Sequence, residues 1–238
     1  NGSSPVVVVV AACCVHAAAK IDYFRPSKFQ AALKLECIQI MPAKFAYALA
    51  RLASIDVYQN TAVLAVEPRK ITTSEAEINC DKIILATNLQ PLFGLEKHFF
   101  QENSVIVASQ KTDEVKNVWQ EEAVIWTLED QYDLIYAEEG RAFLELYNPK
   151  NINERLNQYY PGMSWQKSTW GDSWSKTNDW LPIIGSVDKN IFVAIAMGDQ
   201  GIVTGFTAGR MMPSLIEREK EKFLELTSPK RFENNGKM

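Results

Sequence analysis

Thr177-Asn178-Asp179-Trp180-Leu181-Pro182-Ile183-Ile184-Gly185, followed by the apolar run Ile191–Ala196 and then Gly198-Asp199-Gln200-Gly201, is the stretch whose reading decides the fold. The run from Ile191 is short and apolar, which predicts a buried strand. Gly198 to Gly201 is a polar, flexible turn, and Ile202 to about Lys222 reads as a long helix that Pro213 bends or interrupts. Strand, glycine turn and helix together make a place for a ligand. Glycine lets a ligand approach the backbone, and the free N–H groups that open a helix favour negative charge. Taken alone, the unit belongs to many α/β proteins and names no function.

Upstream, Val6–Val10 is a continuous β-branched run, which suits a strand covered on both faces. Ala11–Lys20 is alanine-rich and reads as a helix. Strand then helix is the opening of a βαβ unit. Pro42 stands where a helix can begin without losing a hydrogen bond, and Phe45, Leu49 and Leu52 recur at helical spacing. Ile55–Tyr58 and Ala62–Val66 read as short strands, and Ile71–Asn79 as another that ends a hairpin. Lys82–Asn88 is a buried strand running into a polar turn. Between Asn103 and Leu146 the runs Val105–Ala108, Ala123–Trp126 and Ala142–Leu146 lack long helices between them. That pattern predicts an antiparallel sheet. Ile152–Tyr159 reads as a helix closed by Pro161-Gly162, and the tail from Ser228 as a polar, loosely held end.

Composition narrows the class. The 238 residues are 47% apolar, enough for a sizeable core in one domain or two small ones. A net charge of -4 with interspersed signs points away from a nucleic-acid surface. Cys13, Cys14, Cys37 and Cys80 form no CxxC pair, and His16 and His98 add little, so neither a zinc site nor a disulfide framework is expected. The thiols read as reduced, in a cytoplasmic compartment. No membrane span is expected, because no run of about 18 or more apolar residues occurs. Val6–Ala19 lacks the basic segment that precedes a signal h-region.

The order of Trp170-Gly171, Thr177…Gly185, a strand, a glycine turn and a last helix resembles the carboxy-terminal W-G…T-x-D-x-x-P-x-I-G pattern of the D-amino-acid oxidase, glycine oxidase and sarcosine oxidase family. Gly201-Ile202 matches a G-I turn ending, and Pro229-Lys230-Arg231-Phe232 resembles the family's endings. Upstream, Ile40–Phe45 and Leu49-Ala50, then Val57-Tyr58 and Thr61-Ala62-Val63, look like its "proline, helix, V-x-x-x-T-x-V" passage. Ile83–Asn88 resembles its I-L-A-T-N strand end. The resemblance runs from about residue 36 to 232.

The resemblance implies an α/β fold with a Rossmann-like FAD-binding part, from residues 1–94 and 170–238, and an antiparallel substrate-type sheet domain over 95–169. It implies FAD as cofactor, with Val63 at the adenine. Ala86, Thr87, Asn88, Gly185, Gly198, Gln200, Gly201 and Ile202 then line the rest of the cofactor. The implied reaction oxidises the C–N bond of a small-molecule amine or amino acid to an imine that water hydrolyses. Tyr132, Arg141 and Trp170 are the substrate-side candidates, a guanidinium being suited to a carboxylate. An arginine after a turn and clustered tryptophans are more often surface and packing residues. Asp179 suits a turn-capping role, and Cys80 a packed thiol. No nucleic-acid or membrane partner is implied, and an oligomer is compatible with the pattern.

The sequence also departs from the family. Ala11-Ala12-Cys13-Cys14-Val15-His16 stands where a G-x-G-x-x-G turn would approach a pyrophosphate. Lys20 runs directly into Ile21-Asp22-Tyr23, so the second strand with its ribose-binding acid has no counterpart. Gly140–Glu145 lacks the paired glycines of the family's R-x-x-x-G-G. These departures support an alternative in which the chain is a non-catalytic scaffold of the same fold.

Overall fold

The computed structural model describes residues 7–11, 22–24, 31–35, 40–88, 93–113, 125–127, 134–138, 140–147, 151–159, 162–219 and 222–233. Val7–Ala11 (β1), Asp22–Phe24 (β2) and Ala31–Leu35 (β3) come first. The helix Pro42–Leu52 follows, then Val63–Glu67 (β4), Lys70–Thr73 (β5), Glu77–Asn79 (β6) and Ile83–Leu85 (β7). Phe99–Ser109 (β8), Ile125–Thr127 (β9), Leu134–Glu138 (β10) and Arg141–Leu146 (β11) lead to the helix Ile152–Tyr159. Trp165–Thr177 (β12), Ile183–Asp188 (β13) and Ile191–Ile195 (β14) precede the helices Gly201–Glu217 and Lys222–Thr227. The chain divides into two compact units, Asn1–Met41 with Asn103–Ser173, and Pro42–Glu102 with Trp174–Met238.

The first unit is built on a sheet of order β12-β8-β11-β10-β9-β1-β3-β2. As the sequence predicts, its middle is antiparallel: Val105 faces Leu146, Leu144 faces Ile135, and Ile125 also faces Ile135. Ala142, Leu144 and Leu146 are buried while Arg141, Phe143 and Glu145 are half-buried, the period-2 alternation of a strand packed on one face. The amino-terminal strand, expected beside the cofactor-side strands, pairs here instead, antiparallel to β9 and parallel to β3. Continuous valine satisfies any covered sheet position, so its composition does not select a neighbour. The helix expected over Ala11–Lys20 lies outside the described residues, except that Ala11 ends β1.

In the second unit β14 pairs in parallel with β7 and antiparallel with β13. The strands Ile83–Leu85 and Ile191–Ile195 therefore share one sheet, as expected. One face of this sheet packs Ile83, Leu85, Ile183, Ile191, Val193 and Ile195 against Leu95, Val66 and Ile71. The other face packs Ile184 and Phe192 on Ala208, Met212 and Leu224 of the two last helices. Each such aliphatic side chain contributes about 1.5–3 kcal/mol by leaving water. The strand expected over Ile71–Asn79 is broken into β5 and β6, which form a meander with β4. Thr73 makes the break: its hydroxyl accepts from Ala76 N–H and donates to Ala76 O, closing a turn.

Three other expectations are corrected. Ile55–Tyr58 is not a strand, and Ile55, Val57 and Tyr58 stay exposed, since alternation without a partner strand buries nothing. Pro213 does not break its helix, which runs on to Glu217. Proline has no N–H to offer the carbonyl of Gly209 four residues earlier, and Gly209 is exposed, so the lost bond lies on the solvent side. The helix stops at Arg218 in the left-handed conformation (φ 64°), whose N–H returns to Leu215 O. The tail is not loose through Phe232. Pro229–Phe232 forms a 3₁₀ turn capped by Ser228 and latched by Arg231.

Candidate functional site

Arg231 is the latch. Its guanidinium donates to Thr227 O at 2.7 Å, Leu181 O at 2.9 Å and Pro182 O at 3.1 Å, and its Nε donates to Asp179 Oδ2 at 3.1 Å. Asp179 Oδ1 accepts from Thr177 Oγ1 at 2.6 Å and from Leu181 N–H at 3.1 Å. Burial opposes ionisation of Asp179. The bonds from Thr177, Arg231 and Leu181, with the charge of Arg231, outweigh it and hold the carboxyl below its usual range. Asp179 is thus the turn-capping residue that its type predicts. Gly185 lies against this latch: a Cβ there would sit 2.3 Å from Pro229 Cδ. The glycine is required by packing of the chain's end.

Three segments meet at Ser175. Its hydroxyl contacts Asn88 Oδ1 at 2.9 Å and Asn88 O at 3.2 Å, and its carbonyl accepts from Gly198 N–H at 3.0 Å. The end of β7 and the glycine turn after β14 are thereby joined through β12. Parallel pairing of β7 and β14 explains why: both strands finish at the same edge, where ligands of α/β sheets sit. Asn88 is left-handed (φ 53°) and so is Gly198 (φ 73°). Around the junction the polar groups are not all used. Thr87 Oγ1 is buried without a hydrogen-bond partner. Gln200 precedes the helix Gly201–Glu217 and makes no side-chain cap to it, so the first helical N–H groups lack that partner. A Cβ on Gly198 would meet nothing within 4 Å, and one on Gly201 only Met197 Cβ at 3.9 Å.

An unpaired buried hydroxyl, an uncapped helix start and open space above two glycines fit a ligand with hydrogen-bonding edges and partial negative charge. A flavin ring is such a group. Ala86 is exposed at the end of β7, and Ile202 is half-buried in the first helical turn. Val63 opens β4 opposite Thr73 and is exposed. On the substrate side, Tyr132 lies outside the described residues, and Trp170 is placed only by its backbone in β12. Arg141 Nη1 donates to Ser109 O at 3.0 Å, a contact that ties β11 to β8. Cys80 is half-buried against the β7–β14 core, as a packed thiol should be. Ser175 was not singled out by sequence, because a serine in a tryptophan-rich strand carries no distinguishing spacing.

A parallel strand pair whose ends carry a glycine turn and a helix N-terminus is an arrangement that α/β proteins use to hold ligands at the strand ends. The family model described as "FAD dependent oxidoreductase" matches residues 16–215, and the chain belongs to that family. Solved structures agree in fold. Glycine oxidase from Geobacillus kaustophilus superposes with TM-score 0.65 at 15% identity, covering 94% of this chain and 74% of that one. Glycine oxidase from Bacillus cereus ATCC 14579 gives 0.56 at 19%, covering 77% and 57%. L-Proline dehydrogenase from P. horikoshii gives 0.58 at 17%, covering 80% and 59%. The chain thus spans 57% of the Bacillus cereus enzyme's length. No curated protein matches the chain in sequence. Among the described residues no helix is long and apolar enough to cross a membrane.

Proposed function

We propose that this chain holds the ring side of FAD between Thr87-Asn88 and the Gly198–Ile202 turn, and that it oxidises a C–N bond of a small amine or amino acid. The observation that carries the reading is the Ser175 junction, which fixes Asn88 and Gly198 around the unpaired Thr87 hydroxyl. FAD, when bound, supplies the two-electron acceptor. The chain's own groups position it. Thr87 offers a hydroxyl to a polar ring edge, and the N–H groups of the helix beginning at Gly201 favour negative charge beside them. Ser175 keeps both segments in place. The substrate gives up hydride from the carbon that bears nitrogen and leaves as an imine for water to hydrolyse. Amine or amino-acid chemistry is supported by the names of similar structures, glycine oxidase, proline dehydrogenase and iminodiacetate oxidase.

Gly201→Leu tests the site. An added Cβ meets only Met197 Cβ at 3.9 Å, and a circular dichroism spectrum matching wild type makes any loss report on the ligand. FAD titration followed by flavin fluorescence should show binding to the wild type, with affinity reduced at least about tenfold in the variant. Equal binding removes Gly201 from the site. No binding to either protein favours the scaffold reading.

A further inference from the structure

Lys176 follows Ser175 on β12 and therefore projects from the opposite face of the strand. Its ammonium lies 4.3 Å from the centroid of the Trp180 ring, 5.1 Å from Phe100 and 5.4 Å from Trp174. Glu102 Oε1 is 2.8 Å from the same nitrogen. We infer that Phe100, Trp174, Trp180 and Glu102 form a recognition site for an alkylammonium group, with the Lys176 ammonium as its built-in occupant.

Two observations carry this beyond a surface ion pair. The first is the mismatch between the ammonium and its surroundings. An ammonium has three donors, yet the described residues give Lys176 one carboxylate and three ring faces. Ring faces attract positive charge without accepting conventional hydrogen bonds, so the enclosure suits a nitrogen whose hydrogens are replaced by alkyl groups. The Lys176 side chain is only 15% exposed, so it sits inside the enclosure. The second is Trp180. It holds a left-handed backbone (φ 60°), unusual for a bulky side chain, while 62% exposed. Little burial rewards that conformation, whereas the conformation brings its ring closest of the three to the cation. The cage lies away from the Ser175 junction, so the ligand class is an alkylated amine bound apart from the proposed cofactor edge.

A tethered lysine competes with any free cation at high effective concentration. Wild-type protein should bind tetramethylammonium chloride weakly by tryptophan fluorescence, against sodium chloride at equal ionic strength. Lys176→Ala should bind it at least about tenfold more tightly, because the internal competitor is gone. Adding Trp180→Ala to that variant should abolish the gain. A second measurement uses the unaltered chain, in case the variants fail to fold. Acetylation of Lys176, mapped by peptide mass spectrometry, should rise several-fold with tetramethylammonium and not with sodium. No tightening in a folded Lys176→Ala protein, or no rise in Lys176 acetylation, overturns the inference.

Discussion

Replacing Arg231 by alanine separates two kinds of contact that the wild-type guanidinium makes at once. Toward Thr227, Leu181 and Pro182 it donates to backbone carbonyls at 2.7–3.1 Å. Toward Asp179 it forms an ion pair at 3.1 Å. The arginine side chain is 13% exposed and the aspartate 44%, so solvent screens the pair more than the carbonyl contacts. Charged donors to buried carbonyls contribute up to about 1.5–3 kcal/mol each, and partial rehydration on truncation brings the three to roughly 3 kcal/mol in all. A pair as exposed as this adds about 1 kcal/mol or less. Urea unfolding of Arg231→Ala, Asp179→Asn and the double variant measures both terms. The expected outcome is a loss of about 3 kcal/mol for Arg231→Ala with a coupling energy to Asp179 below about 1 kcal/mol. A coupling that accounts for most of the loss, or an Arg231→Ala cost below about 1 kcal/mol, would refute the reasoning.

Gly185→Ala places a Cβ 2.3 Å from Pro229 Cδ, and the overpacking should cost about 1–3 kcal/mol in thermal unfolding, partly restored by Pro229→Ala. A variant as stable as wild type would show that the carboxy-terminal turn shifts freely. Acidification should destabilise the second unit in two stages. His98 stacks on Phe232 at 4.1 Å, and burial first, then Lys97 and Arg231, depresses its pKa, so its contribution is present above about pH 6.5 and lost as pH falls through the lowered native value. Asp179 is also depressed, so its contribution is present above about pH 3.9 and lost on further acidification through its own native value. His98→Gln should erase the first stage, as read from unfolding free energy against pH; an unchanged profile would show that His98 does not titrate differently on folding.

Short apolar runs with strong punctuation were readable. Ile191–Ala196 and Lys82–Asn88 each end in polar turns, and both became strands at the expected edge. The run Ala142–Leu146 was expected as a strand of an antiparallel sheet, and the structure adds the period-2 burial that puts Ala142, Leu144 and Leu146 on the covered face. Val6–Val10 could be typed as a strand but not assigned a neighbour, since pairing is decided by residues far away in sequence. Trp165–Thr177 was hidden for a related reason: serine, lysine and tryptophan in mixed order carry no clean period, and the strand is held by its partner β8. Of the residues proposed for the site, Thr87 and Asn88 came from the resemblance to an I-L-A-T-N strand end, and Gly198 and Gly201 from glycine-turn chemistry. Ser175 and the cage around Lys176 depend on contacts made only after distant segments come together.

The parallel pairing of β7 with β14 sets an order of events on the way to the native state. Asn190, beside β14, accepts a bond from Lys82, 108 residues earlier. The β4–β6 meander closes over short loops and can form as soon as its residues leave the ribosome, because loop closure is cheapest for local contacts. β7 has no such option, since its sheet partner is synthesised late in the chain. Ile83–Leu85 must wait as an unpaired apolar edge while those intervening residues are made. During that interval an unpaired apolar strand edge is open to intermolecular strand pairing.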